Sequence, residues 1–423
     1  MIDIFIITSS ITIFTLLGFI PFHTLFKNKE NKFIENFLFN IIIAITLILF
    51  FNIIGFKVQA IIYLFYIFLL SSTIYLILIF KRGTFDLEDT KFLIFIVLLY
   101  FIISSNLVYN LTLTWEAQTI WLDKTILLKF DQGIFALKNT PLPEFPFLFP
   151  VLWSFFWKFL NFDTEYVGRL FLVFFYLVSL FTFVNLFKTN FRIRIIIFLI
   201  SVLITFRIQG FQGDLAALIF SLILINISSY YLLLENKKKN FTNILIFLLT
   251  LNLLLYTSNE GMFFAFIILI TLVLNKNLKK TIKLNIAVPF LILFTFKISV
   301  FIYYEFGLSL NSDNYALTNI SKNLNIGNLI LILKYLIFNI LRTELLMLAI
   351  LFMILEYSLI KKFNYTNFYF IILNILFIFS FFLFNAETLE GILKQKMIDL
   401  LYYSSALYII PIINSFNSIS KRG

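Results

Sequence analysis

Long apolar runs separated by short polar connections extend along almost the whole chain. Runs of about 17 to 25 residues are long enough to cross a bilayer as helices, and shorter runs are counted where a lysine-rich connection interrupts them. The first run has neither a basic segment before it nor a small-residue cleavage site, so we expect a retained helix and not a signal peptide. The pattern predicts thirteen transmembrane helices, at about 4–22, 36–54, 58–80, 92–109, 169–187, 195–209, 215–234, 241–257, 262–275, 284–303, 343–360, 367–384 and 400–414.

The composition agrees with a membrane protein and excludes a water-soluble enzyme. Hydrophobic residues make up 61% of the 423 positions and charged residues 13%, whereas soluble proteins carry about 25% charged residues. The chain has no cysteine and a single histidine, His23. Disulfides, thiol chemistry and Cys/His zinc sites are therefore excluded, and His23 is interpreted as an interfacial side chain at the end of the first run.

Basic residues predict the orientation of the helices. Lys and Arg in short loops stay on the cytoplasmic side, and here they occupy alternate connections, so the net charge of +11 reflects topology and indicates no nucleic-acid partner. The alternation requires that the apolar segment 146–160 does not cross the membrane. Its prolines and tryptophans favour a helix at the interface. The segment 329–341 is interpreted in the same way, because Lys334 lies within it and Arg342 at its end. The basic connections are 27–32, 81–91, 188–194, 237–239, 276–283, 361–362 and 421–422.

This arrangement predicts an all-α polytopic membrane protein with about thirteen transmembrane helices and an extracytoplasmic loop that carries interfacial helices. Such a loop is the longest segment outside the predicted spans, so it is the first place to look for a site. The predicted parts are N-terminal transmembrane helices at 1–109, the extracytoplasmic loop at 110–168, central transmembrane helices at 169–303, a second extracytoplasmic loop at 304–342 and C-terminal transmembrane helices at 343–423.

Carboxylates are scarce, and many of them fall on the predicted extracytoplasmic side. The most specific stretch follows the fourth predicted span and contains Trp115, Glu116, Trp121, Asp123 and Lys124. On a helix, Glu116 and Asp123 lie near one face, as do Trp121 and Lys124. A carboxylate held between aromatic side chains at an interface is partly desolvated, which raises its basicity and suits it to general-base catalysis. An aromatic belt with a snorkelling charged pair explains the same residues equally well.

Two further features lie between this stretch and the fifth predicted span. Four prolines within 141–150 exclude regular helix and predict a rigid turn that leads into the interfacial helix. Arg169 stands at the outer end of the fifth span. A bound phosphate would explain it, because guanidinium pairs with phosphate in a bidentate manner, and a salt bridge to Asp163 or Glu165 would explain it equally well.

Two glycine-containing turns place carboxylates at other predicted outer ends. The segment 210–214 ends in Asp214 and opens the seventh predicted span, and the segment 257–261 contains Glu260 and joins the eighth span to the ninth. Asp214 is explained as a helix cap and Glu260 as a loop residue. A charge this close to a bilayer is nevertheless costly enough to count as a functional candidate.

Taken together, these motifs resemble the polyprenyl-phosphate-sugar-dependent membrane glycosyltransferases of the GT-C superfamily, a group that includes mannosyltransferases and aminoarabinose transferases. In that family an acidic residue after a span is followed by Trp-x-x-Lys-Ala, a Tyr-Pro segment, a Gly-Tyr-x-Asp helix start and a Lys-x-Glu-Gly turn. This chain departs from the pattern at Glu116, Thr125, Phe145 and Ser258, where the family has Asp, Ala, Tyr and Lys. The resemblance covers about 110–265, with the counterparts in order at Trp115-Glu116, Trp121 to Lys124, Phe145 to Pro150, Gly210 to Asp214 and Ser258 to Gly261.

The resemblance implies an enzyme that transfers a sugar from a polyprenyl-phosphate donor to a lipid, glycan or protein acceptor, with inversion, at the periplasmic face of a bacterial inner membrane. Glu116 would be the base, and Arg169, Arg342 or Lys396 would stabilise the leaving phosphate. Membrane lipids would surround the protein, and no nucleotide-binding motif is visible or needed. The other substrate-binding residues implied are Trp115, Trp121, Asp123, Lys124, Asp214 and Glu260.

Other classes stay open. A transporter or lipid flippase would usually show internal repeats and charges at the membrane midplane, but the chain has no convincing repeat and only Lys297 lies deep in an apolar run. A membrane polymerase or ligase of surface polysaccharide would use the same donor class but lacks the early Trp-Glu block. A divalent metal held by Glu116, Asp123 and Asp214 is an alternative to a metal-free site.

Overall fold

A computed structural model of the chain describes residues 2–25, 33–82, 87–111, 113, 117–187, 190–209, 214–235, 241–276, 278–307, 324–361, 365–384 and 389–420. Within these ranges the chain is helical and contains no strand, as the apolar pattern predicts. The helices are α1 Ile2–Gly18, α2 Phe22–Leu25, α3 Phe33–Ile54, α4 Val58–Arg82, α5 Leu87–Tyr109, α6 Leu122–Lys129, α7 Leu148–Leu160, α8 Tyr166–Val184, α9 Phe191–Gln209, α10 Leu215–Glu235, α11 Phe241–Leu255, α12 Asn259–Leu274, α13 Lys280–Tyr303, α14 Ile326–Ile340, α15 Glu344–Ile360, α16 Tyr365–Phe384, α17 Leu389–Tyr403 and α18 Ser405–Ser420.

Several helices are long and apolar enough to cross a membrane. Seven qualify by length and composition among the described residues, and two further pairs of bent helices bring the number to nine if each pair is one span. The predicted count of thirteen is not confirmed, because α11, α12 and the apolar part of α16 are shorter than the roughly 20 residues that a straight span needs. The chain is a multi-pass membrane protein.

Helix α8 lies at the centre of the bundle, and other helices lie at its edge. All of α8 is buried, whereas only 22% of the apolar window of α4 and 28% of that of α13 is buried. The exposed side chains of α4 and α13 include Ile67, Leu70, Ile292 and Ile302. Large apolar side chains exposed along a spanning helix are suited to contact with lipid tails.

The predicted loop 110–168 is a compact helical layer wherever it is described. After a π-helical turn at Ala117–Trp121 come α6, a 3₁₀-helix at Ile134–Asn139 and α7. The expected helix at 146–160 is present as α7, and neighbouring helices α3, α4, α6 and α8 bury all but one of its residues. Gly168 permits the close packing of α7 on α8, because a Cβ there would lie 2.2 Å from the carbonyl oxygen of Trp153.

The helices near the C-terminus contain two bends, and the second of them interrupts a predicted span. Helices α14 and α15 meet at 83°, so the apolar segment 329–341 and the span 343–360 do not form one rod. Helices α17 and α18 meet at 46°, close to Ser404. The predicted span 400–414 therefore covers the bend and parts of two helices.

We predict that the helical layer and the basic connections lie on opposite sides of the membrane. The chain lacks cysteine, so single cysteines can be placed at the exposed positions Asn139 and Asn190 without background. In intact cells a membrane-impermeant maleimide should label Asn139→Cys, whereas Asn190→Cys should react only after permeabilisation. Labelling of both variants from one side would contradict the orientation.

Candidate functional site

Lys124 lies at the centre of the helical layer and is fully buried. Its Nζ donates hydrogen bonds to the carbonyl oxygens of Leu142, at 2.8 Å, and Phe145, at 3.0 Å. The Trp121 ring lies 5.6 Å from the same Nζ and meets the Phe145 ring edge-on at 6.0 Å. Trp121 and Lys124, the two fixed residues of the Trp-x-x-Lys motif, lie one helical turn apart. Together they hold the proline-rich turn against α6.

Burial lowers the pKa of Lys124 to about 7, and the nearby carboxylate of Glu144 opposes this shift in part. An ammonium group without water depends on the oxygen atoms around it, and here these are backbone carbonyls. Contact of Lys124 with a substrate stays a prediction. The interaction that the structure shows is with the turn.

The proline-rich turn also contacts the connection between α11 and α12. The backbone N–H of Leu148 donates to the carbonyl oxygen of Tyr256 at 2.8 Å. Next to it, the Phe147 ring lies 5.6 Å from the Tyr256 ring, 5.9 Å from that of Phe301 and 5.8 Å from that of Phe306. Segments 121–124, 141–150 and 256–261 are therefore linked by direct contacts, although more than 100 positions separate the first from the last.

The turn at 258–261 is the N-terminal cap of α12. The Oγ of Ser258 accepts a hydrogen bond from the Gly261 N–H at 2.9 Å, as an N-cap serine does. A Cβ at Gly261 would lie 2.1 Å from the Thr257 Oγ1, so the tight turn requires glycine. This cap places Glu260 in the first turn of α12, half-buried.

Arg169 is paired with Glu165 and is 2% exposed. Its Nε and Nη2 donate to the Oε2 and Oε1 of Glu165 at 3.1 and 2.9 Å, and its guanidinium carbon lies 5.7 Å from the Trp153 ring. Burial raises the pKa of Glu165, and the charge of Arg169 opposes that shift. Of the two explanations of Arg169 that the sequence leaves open, the structure contains the salt bridge. A phosphate contact stays a prediction.

The remaining sequence-predicted residues lie outside this chain of contacts. Asp123 is exposed on α6, and the Oδ1 of Asp214 accepts from the Leu215 N–H at 2.7 Å, at the start of α10. Arg342 is exposed between α14 and α15, with its guanidinium carbon 4.1 Å from the Phe338 ring, and Lys396 is half-buried on α17. The residues Trp115 and Glu116 lie outside the described residues.

Lys297 belongs near this cluster although the motif pattern does not include it. On α13 it is 6% exposed, and its Nζ lies 3.7 Å from the Met262 sulfur and 5.3 Å from the Phe301 ring. Phe301 in turn stacks on Phe147. The signal in the sequence is its depth in an apolar run, because no spacing rule connects it with residues so far upstream.

Among the residues that the structure describes, no group of three or more His, Cys, Asp and Glu side chains is arranged to hold a metal ion. The alternative of a divalent metal held by Glu116, Asp123 and Asp214 is not tested by this, since Glu116 is outside those residues. No protein-family model matches the chain, and comparison with curated proteins and with solved structures finds no match.

We predict that Lys124 stabilises the fold through the proline-rich turn. Lys124→Met leaves the Phe145 carbonyl without this donor, whereas the Leu142 carbonyl still accepts from the Phe145 N–H at 3.1 Å, and the change should lower the free energy of unfolding by about 2 kcal/mol. Lys138→Met is the matched control: its Nζ forms an exposed ion pair with Glu305 at 3.3 Å, and its loss should cost about 0.5 kcal/mol. Thermal unfolding in detergent measures both values.

Comparison with Lys124→Met also predicts how the free energy of unfolding of the wild type changes with pH. Because the pKa of Lys124 falls to about 7 in the folded state, the unfolded chain holds a proton between about pH 7 and 10 that the folded chain has released. Stability relative to Lys124→Met should then rise with pH in this window, by up to about 1.4 kcal/mol per pH unit, and be lost as pH falls toward 7. A difference that does not change with pH would show that Lys124 stays charged when folded.

We predict that Arg169 and Glu165 are coupled. Glu165→Gln should lower the free energy of unfolding by about 3 kcal/mol because the buried Arg169 loses this carboxylate. Arg169→Met should lower it by about 1 kcal/mol, because Glu165 is half-buried and water reaches it. The double variant should be more stable than the sum of the two losses implies, by about 1 kcal/mol or more. Strict additivity would show that the two side chains contribute independently.

Proposed function

We propose that this chain is an integral-membrane glycosyltransferase that moves a sugar from a polyprenyl-phosphate donor to an acceptor on the extracytoplasmic side, with inversion, at the outer face of a bacterial inner membrane. The observation that carries the proposal is the contact between motifs. Trp121 and Lys124, the turn 141–150 and the connection 256–261 occur in the order of the GT-C pattern, and they contact one another in the fold.

In the proposed reaction, the Glu116 carboxylate takes the proton of an acceptor hydroxyl. The hydroxyl oxygen then attacks the anomeric carbon of the donor, and the bond from that carbon to the phosphate oxygen breaks. The electron pair of this bond leaves with the polyprenyl phosphate, so negative charge develops on the phosphate. A nearby cation stabilises this charge most strongly where water is excluded.

Lys297 is the cation that this chemistry would use best. Within the described residues it forms no ion pair, and its Nζ lies near the Met262 sulfur and the Phe301 ring. The opposite side of α13 exposes apolar side chains such as Ile292 and Ile302. A lipid-linked donor could therefore keep its tail in the bilayer against the exposed side of α13 while its phosphate contacts Lys297 on the other side of the same helix.

We predict that the proposed activity depends on Glu116. With a membrane extract as the source of acceptor hydroxyls, the protein in proteoliposomes should release polyprenyl phosphate from a panel of polyprenyl-phosphate hexoses and pentoses. Glu116→Gln should lower that rate by about 100-fold or more because a general base is lost. Chromatography of the radiolabelled lipid measures release.

Glu305→Gln is the matched control for this test. It changes another carboxylate on the same side to its amide, at a side chain that is 70% exposed, and it should leave the rate unchanged. Release of no polyprenyl phosphate by the wild-type protein would contradict the proposed activity. Release by Glu116→Gln at the wild-type rate would remove Glu116 from the mechanism.

A further inference from the structure

A cavity of about 270 Å³ lies at the other end of the bundle, between the first turns of α3, α9 and α11 and the last turns of α8 and α10. The lining residues Thr182 and Asn185 follow Arg169 by 13 and 16 positions along α8, so at 1.5 Å per residue the cavity is about 20 to 24 Å from Arg169. Ligand pockets for drug-sized molecules begin at about 300 Å³. The cavity therefore suits a ligand the size of a lipid headgroup.

The buried side of the cavity is lined by hydroxyl groups whose protons are already in use. Ser228 Oγ donates to the carbonyl oxygen of Leu224 at 2.9 Å, Ser229 Oγ to that of Ile225 at 3.0 Å, and Thr182 Oγ1 to that of Ser179 at 2.6 Å. A hydroxyl has one proton and two lone pairs. These three oxygens can thus accept hydrogen bonds from a ligand that carries donors.

Asn243 lines the same cavity and is 1% exposed. Neither the nitrogen nor the oxygen of its amide has a hydrogen-bond partner in the described protein. A buried amide without partners destabilises a fold, so native proteins rarely keep one without a reason. A ligand in the cavity would supply both a donor and an acceptor for this amide.

The more exposed side of the cavity carries both signs of charge. Arg194 and Asn185 both line the cavity, and the Nη1 of Arg194 donates to the Oδ1 of Asn185 at 2.9 Å. Glu35, on α3, lines the same space. Both side chains are half-buried, so each would interact strongly with a ligand group of opposite charge.

We propose that this cavity binds an aminoalkyl phosphate headgroup. Arg194 and the Asn243 amide nitrogen would bind the phosphate, because guanidinium and amide N–H groups are donors suited to its oxygens. Glu35 and the hydroxyl oxygens of Ser228 and Ser229 would accept hydrogen bonds from the ammonium group. A purely anionic ligand would leave Glu35 facing like charge, and a purely cationic one would do the same to Arg194.

Two sources can supply this chemistry: a phospholipid such as phosphatidylethanolamine, or a water-soluble phosphoester such as glycerophosphoethanolamine. The inference does not depend on the proposed transferase activity. It rests on a different set of residues at the opposite helix ends, and its test measures binding and not turnover.

The test is lipid binding to the delipidated full-length protein, followed by native mass spectrometry. Wild-type protein should bind one phosphatidylethanolamine at least tenfold more tightly than phosphatidylglycerol, whose headgroup has no amine. Asn243→Leu and Arg194→Met should each weaken this binding by tenfold or more. Asn252→Leu is the matched control, because it also changes an asparagine of α11 to leucine but lies away from the cavity. Its affinity for phosphatidylethanolamine should stay within twofold of that of the wild type.

Glu35→Gln tests the proposal in a second way, through the selectivity between the two lipids. It should bring the affinities for phosphatidylethanolamine and phosphatidylglycerol to within about twofold of each other while the phosphate contacts remain. Thermal unfolding checks the fold: without ligand, Asn243→Leu should be at least as stable as wild type, since an unpartnered amide becomes apolar.

The possible outcomes distinguish a soluble ligand from a membrane lipid, and two of them would overturn the proposal. Competition by glycerophosphoethanolamine at similar affinity indicates a soluble ligand, and binding of the intact lipid alone indicates a membrane lipid. Equal binding of the two lipids by wild-type protein would overturn the proposal. Unchanged phosphatidylethanolamine binding by a folded Asn243→Leu variant would overturn it as well.

Discussion

The hydrogen bonds from the Lys124 ammonium to the carbonyls of Leu142 and Phe145 fix the position of the proline-rich turn, on which the candidate site depends. A turn with so many prolines cannot satisfy its carbonyls through helix, because proline lacks the N–H and breaks the hydrogen-bond ladder. A buried donor with three protons meets that need. Once the turn is fixed, Leu148 begins α7 at the carbonyl of Tyr256, and the connection before α12 is brought to the same place.

The central position of α8 explains why the layer before it is ordered. Helix α7 packs along α8 across Gly168, and the Trp153 indole nitrogen donates to the carbonyl oxygen of Glu165 at 2.9 Å. That contact places Glu165 where it pairs with Arg169 in the next helical turn. Packing, a backbone hydrogen bond and an ion pair therefore act on the same short connection, so a change in any of them should affect the others.

The sequence predicts the local features of this protein well and its long-range features poorly. The helices and the break at 141–150 follow from apolar runs and proline chemistry, and the salt bridge of Arg169 to Glu165 is one of the alternatives that the sequence leaves open. The number of spans does not follow, because α11 and α12 are short and the bends after α14 and α17 leave no proline or glycine signal at the break. The cavity around Asn243 is formed by five helices, and no pattern within one helix indicates which side chains meet across them.

Three cations are buried among the residues that the structure describes, and they differ in what surrounds them. Lys124 donates to two carbonyl oxygens and Arg169 pairs with a carboxylate, so each has an oxygen partner within the protein, and burial still lowers the pKa of Lys124 to about 7. Lys297 has a sulfur atom and an aromatic ring, which are far weaker partners for an ammonium group. A charge in an apolar helix without an oxygen partner is costly and marks a functional position more often than a structural one. In the proposed reaction the phosphate of a lipid-linked donor would supply that partner, and the leaving group would lie beside α13, where Phe301 connects Lys297 to Phe147 of the helical layer.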